Sequence, residues 1–182
     1  MRTIIVATAA VLFAAVAHAD TPPTPRPAGS ALDETLREFD DAARKIVDMA
    51  EDFPEAKYDF KPTPEVRGFA DQILHVAGGN ASFVEAARGG KFSEADPPRA
   101  QYKTKAQIVA LLKKSVADVD ALLKQRGAAG MTQPMKWPFG PRMMSPMAYW
   151  WEATSHLSEH YGQLVVYYRL NKLVPPESRP HK

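Results

Sequence analysis

Apolar residues recur at alternating spacings of three and four along much of this chain, as they do on the buried face of an amphipathic helix. The first such run is Leu32, Leu36, Phe39, Ala43, Ile46, Ala50 and Phe53. A later run is Ile108, Leu111, Leu112, Val116, Val119, Leu122 and Leu123. We find no convincing stretch with the alternating pattern of a strand and no internal repeat. The pattern therefore predicts an all-α fold.

Capping residues and helix breakers divide the chain into four helices. Pro54 ends the first helix, Thr63-Pro64 supplies an N-cap and a first-turn proline for the second, Thr104 caps the third, and Ser145-Pro146 opens the fourth. Gly127 is a natural stop for the third helix. The predicted helices span about residues 32–53, 63–89, 104–127 and 145–170. Helices of this length with short to medium loops predict an antiparallel four-helix bundle.

The first nineteen residues resemble a secretory signal peptide. Arg2 provides a basic start, residues 4–16 are apolar except for Thr8, and Ala17-His18-Ala19 has the small-x-small cleavage pattern. The apolar run is shorter than the ~20 residues of a membrane span, so we expect export to the periplasm or medium and no stable membrane insertion after cleavage. The predicted organisation is a signal peptide at 1–19, a Pro-rich linker at 20–30, a bundle at 31–176 and a tail at 177–182.

Composition excludes several classes of function. The chain has no cysteine, so an exported form is neither a disulfide scaffold nor a lipoprotein. Loss of Arg2 with the leader reduces the 23 basic residues to 22, against 21 acidic residues. Charges of the two signs alternate, and no basic cluster of the kind that binds phosphates stands out. We expect no nucleic-acid partner.

Three of the five histidines fall inside the predicted bundle. His156 and His160 are four residues apart, which places their Cβ atoms about 5–6 Å apart on one helix face, as in a chelating pair. His75 lies about eighty residues earlier and can complete a facial triad if its helix packs against the fourth. Such a triad leaves metal positions open for water or substrate. Core histidines satisfied by hydrogen bonds, in a metal-free bundle, are the alternative.

Helical geometry places both histidines of the fourth helix on a core-facing aromatic stripe. Tyr149 and Tyr167 fall within about 20° of the same line, and Gln163 within about 40°. We interpret the tyrosines as core or pocket walls and Gln163 as a candidate partner for a bound water. Small residues surround His75 on the second helix, so a neighbouring helix can approach closely or a hollow can remain. Asp71, one turn earlier, is a candidate to orient the His75 ring.

The segment from His156 to His160 also matches H-x-x-E-H, the pattern of inverted zinc peptidases. That interpretation is disfavoured, because the only acid far downstream is Glu177 in a proline-rich tail, and Glu159 lies about 80° off the histidine stripe. Glu159 and Glu152 remain the nearest, weak candidates for a general base.

Methionines crowd the connection between the third and fourth helices, together with Trp137 and Phe139. They are Met131, Met135, Met143, Met144 and Met147. Thioethers are suitable ligands for copper(I). We favour instead the interpretation that these adaptable side chains cover a bundle end or the mouth of a pocket, where the loop can gate the site. Trp150 and Trp151 are adjacent on a helix and cannot both face the core.

With these features in order, the chain from about Leu32 to Pro176 resembles the DinB/YfiT-like superfamily of metal-binding four-helix bundles. The segments that carry the resemblance are Tyr58 to Glu65, Ile73 to Ala77, His156 to Gln163, Val166 to Asn171 and Pro175-Pro176. The resemblance implies that His75, His156 and His160 bind one divalent metal and that the protein forms a homodimer. It also implies activities that range from thiol-dependent transferases and isomerases to metal-dependent hydrolases.

The function hypothesis is an exported metalloprotein with one divalent ion, zinc or nickel, that acts as a metal-dependent hydrolase on a small-molecule substrate. The alternative is a non-catalytic metal-binding module in which the metal only stabilises the bundle. A thiol-dependent transferase is a further alternative, which we disfavour because low-molecular-weight thiols are scarce outside the cytoplasm.

Overall fold

The computed structural model of this protein describes residues 29–93 and 95–180. Its four long helices are α1 (Ala31–Asp52), α2 (Phe69–Ala87), α3 (Lys105–Gly130) and α4 (Pro146–Leu170). Between α3 and α4, strand β1 (Met135–Lys136) pairs antiparallel with β2 (Met143–Met144). None of the helices in the described ranges is long and apolar enough to cross a membrane. The predicted signal peptide, linker residues 20–28, His18 and His181 lie outside the described residues.

Most helix ends agree with the capping pattern. Hydroxyls of Ser30, Thr104 and Ser145 accept hydrogen bonds from the first turns of α1, α3 and α4. Gly127 adopts φ +59°, so the regular part of α3 ends where the sequence predicts, and one further turn follows. The helices therefore begin and end for local reasons that the sequence displays.

The predicted start of α2 at Thr63 is wrong. The helix begins at Phe69, and the amide of Phe69 donates to the carbonyl of Phe60 (3.0 Å) while that of Ala70 donates to Tyr58 (2.8 Å). Residues 58–68 fold back over the helix end, and their carbonyls satisfy amides that a longer helix would have satisfied internally. Thr63 and Pro64 form a turn in this loop instead.

The predicted four-helix bundle is confirmed, but its helix directions are mixed, whereas the sequence predicts an antiparallel bundle. Helix α1 packs against α3 and α4, and α2 packs against the same two helices. The Lys105 ammonium at the start of α3 donates to the carbonyl of Phe53 after α1 (2.8 Å), so α1 and α3 are antiparallel. The Tyr168 hydroxyl near the end of α4 donates to Met49 near the end of α1 (2.7 Å), so these two helices run parallel.

The described part of the connection from α2 to α3, which we name the return loop (residues 88–93 and 95–104), runs back along α2. Near the end of α2 the Ser82 hydroxyl donates to the carbonyl of Ser93 (2.8 Å), and near its start Arg99 donates to Asp59 (2.9 Å). Helix α3 consequently begins beside the start of α2 and runs parallel to it. The return loop therefore crosses the middle of α2.

Aromatic side chains fill the core at the C-terminal end of α1. Phe53 stacks on Phe69 with ring centroids 3.8 Å apart, and Tyr168 packs against Phe53 at 5.0 Å. At the opposite end of α4 Trp150 is fully buried, whereas Trp151 is 63% exposed. The expectation that only one tryptophan faces the core is confirmed.

The chain after α4 contacts α1. A short 3-10 turn spans Pro176–Ser178, and Glu177 accepts a hydrogen bond from Arg44 (2.7 Å). Arg179 donates to Asp52 at the end of α1 (2.8 Å). Glu177 of the predicted tail is thus an ion-pair partner on the outside of the bundle.

Two carboxyls meet between α1 and α3. Partial burial and a hydrogen bond to Asp120 raise the pKa of Asp40 to about 6. Lys124, which pairs with Asp120, offsets only part of this rise. The folded state therefore binds more protons than the unfolded state between about pH 4 and 6. The contribution of the shared proton to the free energy of unfolding is lost as the pH rises through that window.

We expect Asp40→Asn to leave stability nearly unchanged at pH 4.5 and to raise the free energy of unfolding at pH 8. The gain should be below about 1 kcal/mol, because Asp40 is largely exposed and solvent screens the repulsion. Urea unfolding at both pH values measures it. A gain of equal size at both pH values would contradict the shared proton.

Candidate metal centre

The structure brings the three predicted histidines together. His75 lies on α2, and His156 and His160 lie one turn apart on α4. The Nε2 atom of His156 is 3.2 Å from Nε2 of His75 and 3.0 Å from Nε2 of His160. One ligand atom from each of the three side chains falls within 4.8 Å of the other two. The imidazoles therefore converge on a single point.

Close packing of α2 on α4 produces this convergence. Gly79 faces His156, and a Cβ atom at position 79 would lie 2.5 Å from Cε1 of that ring. The small residue lets the imidazole lie against the α2 backbone, so the close approach expected around His75 is confirmed at this position. Any larger side chain at position 79 would push the ring away from the other two.

Two tyrosines fix the α2–α4 contact on either side of the histidines. The hydroxyl of Tyr149 donates to the carbonyl of Phe83 (2.6 Å), and that of Tyr167 donates to the carbonyl of Arg67. Both side chains are buried, at 0% and 5% exposure. They fix the positions of the two helices relative to each other, and Tyr167 also lines a cavity beside the site.

Burial keeps the α4 imidazoles uncharged. Desolvation, with smaller contributions from the other histidines and from Arg67, lowers the pKa of His156 to about 3 and that of His160 to about 4. Both rings are neutral near pH 7. Neutral imidazole is the form that ligates a metal.

The contacts among the three rings cannot all be full hydrogen bonds. Nε2 of His156 faces two other ring nitrogens, yet a neutral ring offers only one hydrogen or one lone pair there. The two contacts therefore share a single hydrogen or a single lone pair. A cation between the three nitrogens would turn every contact into a favourable one.

The far nitrogens of two rings are held by polar groups. Nδ1 of His75 lies 2.6 Å from a carboxylate oxygen of Asp96 in the return loop. Nδ1 of His160 contacts the amide of Gln72, which is buried and one turn before His75 on α2. Nδ1 of His156 is buried with no hydrogen-bond partner among residues 29–93 and 95–180. Such contacts direct Nε2 of His75 and His160 toward the shared point.

The carboxylate on His75 is therefore Asp96, and the expectation for Asp71 is corrected. Asp71 accepts a hydrogen bond from the amide of Gly68 (3.3 Å) and caps α2, because it stands at the third position of that helix. Asp96 is twenty-one residues from His75 in a loop, and no sequence periodicity links the two. Gln72 was also missed, although its spacing of three from His75 places it on the same face.

The remaining candidates lie further from the ring nitrogens. Gln163 accepts a hydrogen bond from the Gln72 amide and is thus one contact removed from His160. Glu159 is exposed and Glu152 half-buried, and the structure gives neither a hydrogen bond to the histidines nor a place in the cavity beside them. Among the described residues, the carboxylate in contact with the histidines is that of Asp96, and its two oxygens are engaged by His75 and Arg67.

A cavity of about 280 Å³ opens onto His75 and His156. Its other walls include Arg67, Phe92 and Phe139, and the two phenylalanine rings pack edge-on with centroids 4.6 Å apart. Phe139 lies in the hairpin that β1 and β2 form, so this connection covers the cavity. The methionines of the same connection do not line it: Met131, Met143 and Met144 border a separate cavity of about 390 Å³.

We expect Gly79→Ala to weaken zinc binding by tenfold or more, because the added methyl overlaps the His156 ring. Gly162→Ala is the matched control: this glycine is also in a helix, and its Cβ would meet nothing within 4 Å. The control should bind zinc normally and gain about 0.5–1 kcal/mol in stability. Competition against a chromophoric chelator measures the affinities, and equal affinities for both variants would show that the close approach does not position His156.

Comparisons with known proteins agree with this architecture. A family model described as the DinB superfamily matches residues 38–164. A DinB-like protein from Bacillus cereus is similar in structure, with a TM-score of 0.64 and 17% identity over 79% of this chain and 95% of that one. Among proteins with curated descriptions, none matches significantly.

Two further solved structures share the fold. One is YfiT from Bacillus subtilis, described as a probable metal-dependent hydrolase with an unusual four-helix bundle topology; its TM-score is 0.54, with 15% identity over 83% of this chain and 94% of that one. The other is a mycothiol-dependent maleylpyruvate isomerase, with a TM-score of 0.59 and 14% identity over 75% of this chain. This chain spans only 63% of that isomerase.

Proposed function

This chain belongs to the DinB superfamily, and we propose that it is a metalloprotein that binds one divalent cation through His75, His156 and His160 and hydrolyses a small-molecule substrate. The observation that carries the proposal is the approach of three ring nitrogens, two of them uncharged at neutral pH, to contacts of 3.0 and 3.2 Å. A cation is the simplest group that satisfies all three.

The donor set fits a divalent metal of the zinc or nickel type. A tetrahedral ion with metal–nitrogen bonds of about 2.0–2.1 Å separates its ligand nitrogens by about 3.3 Å. The observed separations of 3.0 and 3.2 Å require only a slight spreading of the rings. Imidazole suits zinc, copper, iron and nickel, and three protein ligands leave at least one position open.

The chain's own residues prepare the ligands. Asp96 accepts the Nδ1 proton of His75 and so leaves the lone pair on Nε2. With Nε2 of His160 ligated, its Nδ1 would carry the proton, and the side-chain amides of Gln72 and Gln163 would both have to turn, so that Gln72 presents its oxygen to Nδ1. His156 has no such partner among the described residues and is held by packing against Gly79.

His75 and His156 line the cavity together with Phe92 and Phe139, so a substrate held there would lie beside the histidines. A bound divalent ion would supply Lewis-acid polarisation of a substrate oxygen and a lowered pKa of water. Among the described residues, the carboxylate beside the histidines is Asp96, which His75 and Arg67 already engage, so hydrolysis would depend on the contribution of the ion. YfiT, which shares the fold, is described as a probable metal-dependent hydrolase, and this supports the reaction class.

The metal is tested by elemental analysis of protein purified without a His-tag. We expect one divalent ion per chain, and loss of the ion in His156→Ala and His160→Ala. His181→Gln, which changes a histidine outside the bundle, is the control and should keep the ion. A wild-type protein free of metal after dialysis against zinc and nickel would refute the proposal.

The reaction class is tested with ester, amide and phosphoester panels, each with and without a low-molecular-weight thiol. We expect hydrolysis of at least one class without thiol, abolished by chelation and restored by zinc or nickel. Activity only with thiol would favour the transferase or isomerase class, to which the mycothiol-dependent relative belongs. A large fall in melting temperature on chelation with no activity in any panel would favour a structural metal.

Export would favour hydrolysis over thiol chemistry. We propose that the predicted leader directs the protein out of the cytoplasm, where water is the abundant nucleophile and small thiols are scarce. Fractionation of cells that express the full chain tests it, and a mature N-terminus at Asp20 in the exported fraction is the expected result.

A further inference from the structure

Arg67 occupies a distinctive place beside the histidines. Three cavities of about 280, 350 and 580 Å³ surround the site, and Arg67 is the one residue that lines all three. Its side chain is 45% exposed, so the guanidinium is accessible to a ligand. The backbone carbonyl of Arg67 accepts the Tyr167 hydroxyl, which fixes the start of this side chain.

The guanidinium is oriented by the same carboxylate that holds His75. Nε of Arg67 donates to Oδ2 of Asp96 (3.2 Å), while Oδ1 of Asp96 faces His75. Both oxygens of Asp96 are thus engaged. The two Nη groups of Arg67 have no hydrogen-bond acceptor among residues 29–93 and 95–180. They form a paired donor edge, the geometry that matches a carboxylate.

The charge balance of the site favours an anion. Arg67 and Asp96 cancel, and they are the only charged residues in the described lining of the 280 Å³ cavity. Imidazole ligates a metal in its neutral form, so a divalent ion held by the three histidines would keep its full charge. The ligand group found in the described residues contains no carboxylate, and the field of such an ion would attract a negatively charged group.

The cavity walls set the rest of the ligand. Phe92, Phe139, Gly78 and Gly79 give the cavity an apolar lining. A volume of about 280 Å³ admits a small molecule near the lower limit of ordinary ligand pockets. A compact apolar body with one polar end fits this space.

We propose that the substrate is a small carboxylic acid with an apolar body, and that Arg67 binds its carboxylate while the reacting group faces the histidines. This deepens the proposed function and rests on it, because the same site holds the metal. Arg67 is thus the specificity-determining residue, and Asp96 positions both Arg67 and His75.

Cobalt-loaded protein tests the proposal through its visible absorption spectrum, with phenylacetate as the anionic probe and phenylacetamide as its neutral counterpart. We expect phenylacetate to bind at least tenfold more tightly than phenylacetamide. Arg67→Gln should weaken phenylacetate binding by tenfold or more and change phenylacetamide binding by less than twofold. Arg67→Lys keeps the charge but loses the paired donors, and should fall between.

Arg99→Gln is the matched control, because Arg99 lines the neighbouring 350 Å³ cavity and pairs with Asp59. It should bind both probes as the wild type does. Cobalt affinity is measured for every variant, so that a loss of metal through disturbed Asp96 is separated from a loss of probe binding. If Arg67→Gln does not fold or does not retain cobalt, the comparison of Arg67→Lys with wild type decides.

The outcomes separate the two proposals. A wild-type protein that takes up no cobalt refutes the metal site itself. The assignment of Arg67 is overturned, and the metal site is kept, if cobalt-loaded protein binds both probes equally. The same conclusion follows if the wild type and Arg67→Gln bind phenylacetate equally. Binding of phenyl phosphate tenfold tighter than phenylacetate would overturn the carboxylate class.

Discussion

The close packing of α2 on α4, which brings three imidazoles to one point, is the constraint on which the site depends. Nε2 of His156 lies at hydrogen-bond distance from Nε2 of His75 and of His160, and a neutral ring offers only one hydrogen or one lone pair for both contacts. Burial prevents the alternative of protonation, since it lowers the pKa of His156 and His160 far below neutrality. The Tyr149 and Tyr167 hydrogen bonds and the tight contact at Gly79 hold the rings in this arrangement. Convergent neutral imidazoles are a donor set that a divalent ion binds.

The parallel direction of α2 and α3 has a chemical consequence. A tight turn would have made these helices antiparallel and left the outer face of His75 open. The return loop instead travels the length of α2, and Asp96 and the proline-rich stretch after it lie against the middle of that helix. One carboxylate then holds both His75 and Arg67. The loop supplies the polar partners that the helices themselves lack, as loops on rigid scaffolds commonly do.

Local chemistry made much of the fold predictable. The helix at residues 31–52, the caps at Thr104 and Ser145 and the stop at Gly127 depend on neighbours in the sequence, and the sequence displays them. The start of α2 was misplaced because the carbonyls that satisfy its first amides come from Tyr58 and Phe60, in a loop that folds back. Likewise, connections as long as residues 53–68 and 131–145 are compatible with more than one relative direction of the helices that they join. The positions of the helices in the sequence therefore do not decide that α1 and α4 run parallel.

The sequence by itself determined the ligand types and their spacing: two histidines one turn apart on a helix must share a face, whatever surrounds them. It also determined the apolar stripes that require a bundle. Only the tertiary structure decided which residues serve the histidines. Asp96 took the place considered for Asp71, Gln72 contacts His160, and Glu159 is exposed to solvent. The reason is that periodicity reports which residues share a helix face, whereas contacts between a helix and a distant loop arise from packing that no local pattern encodes.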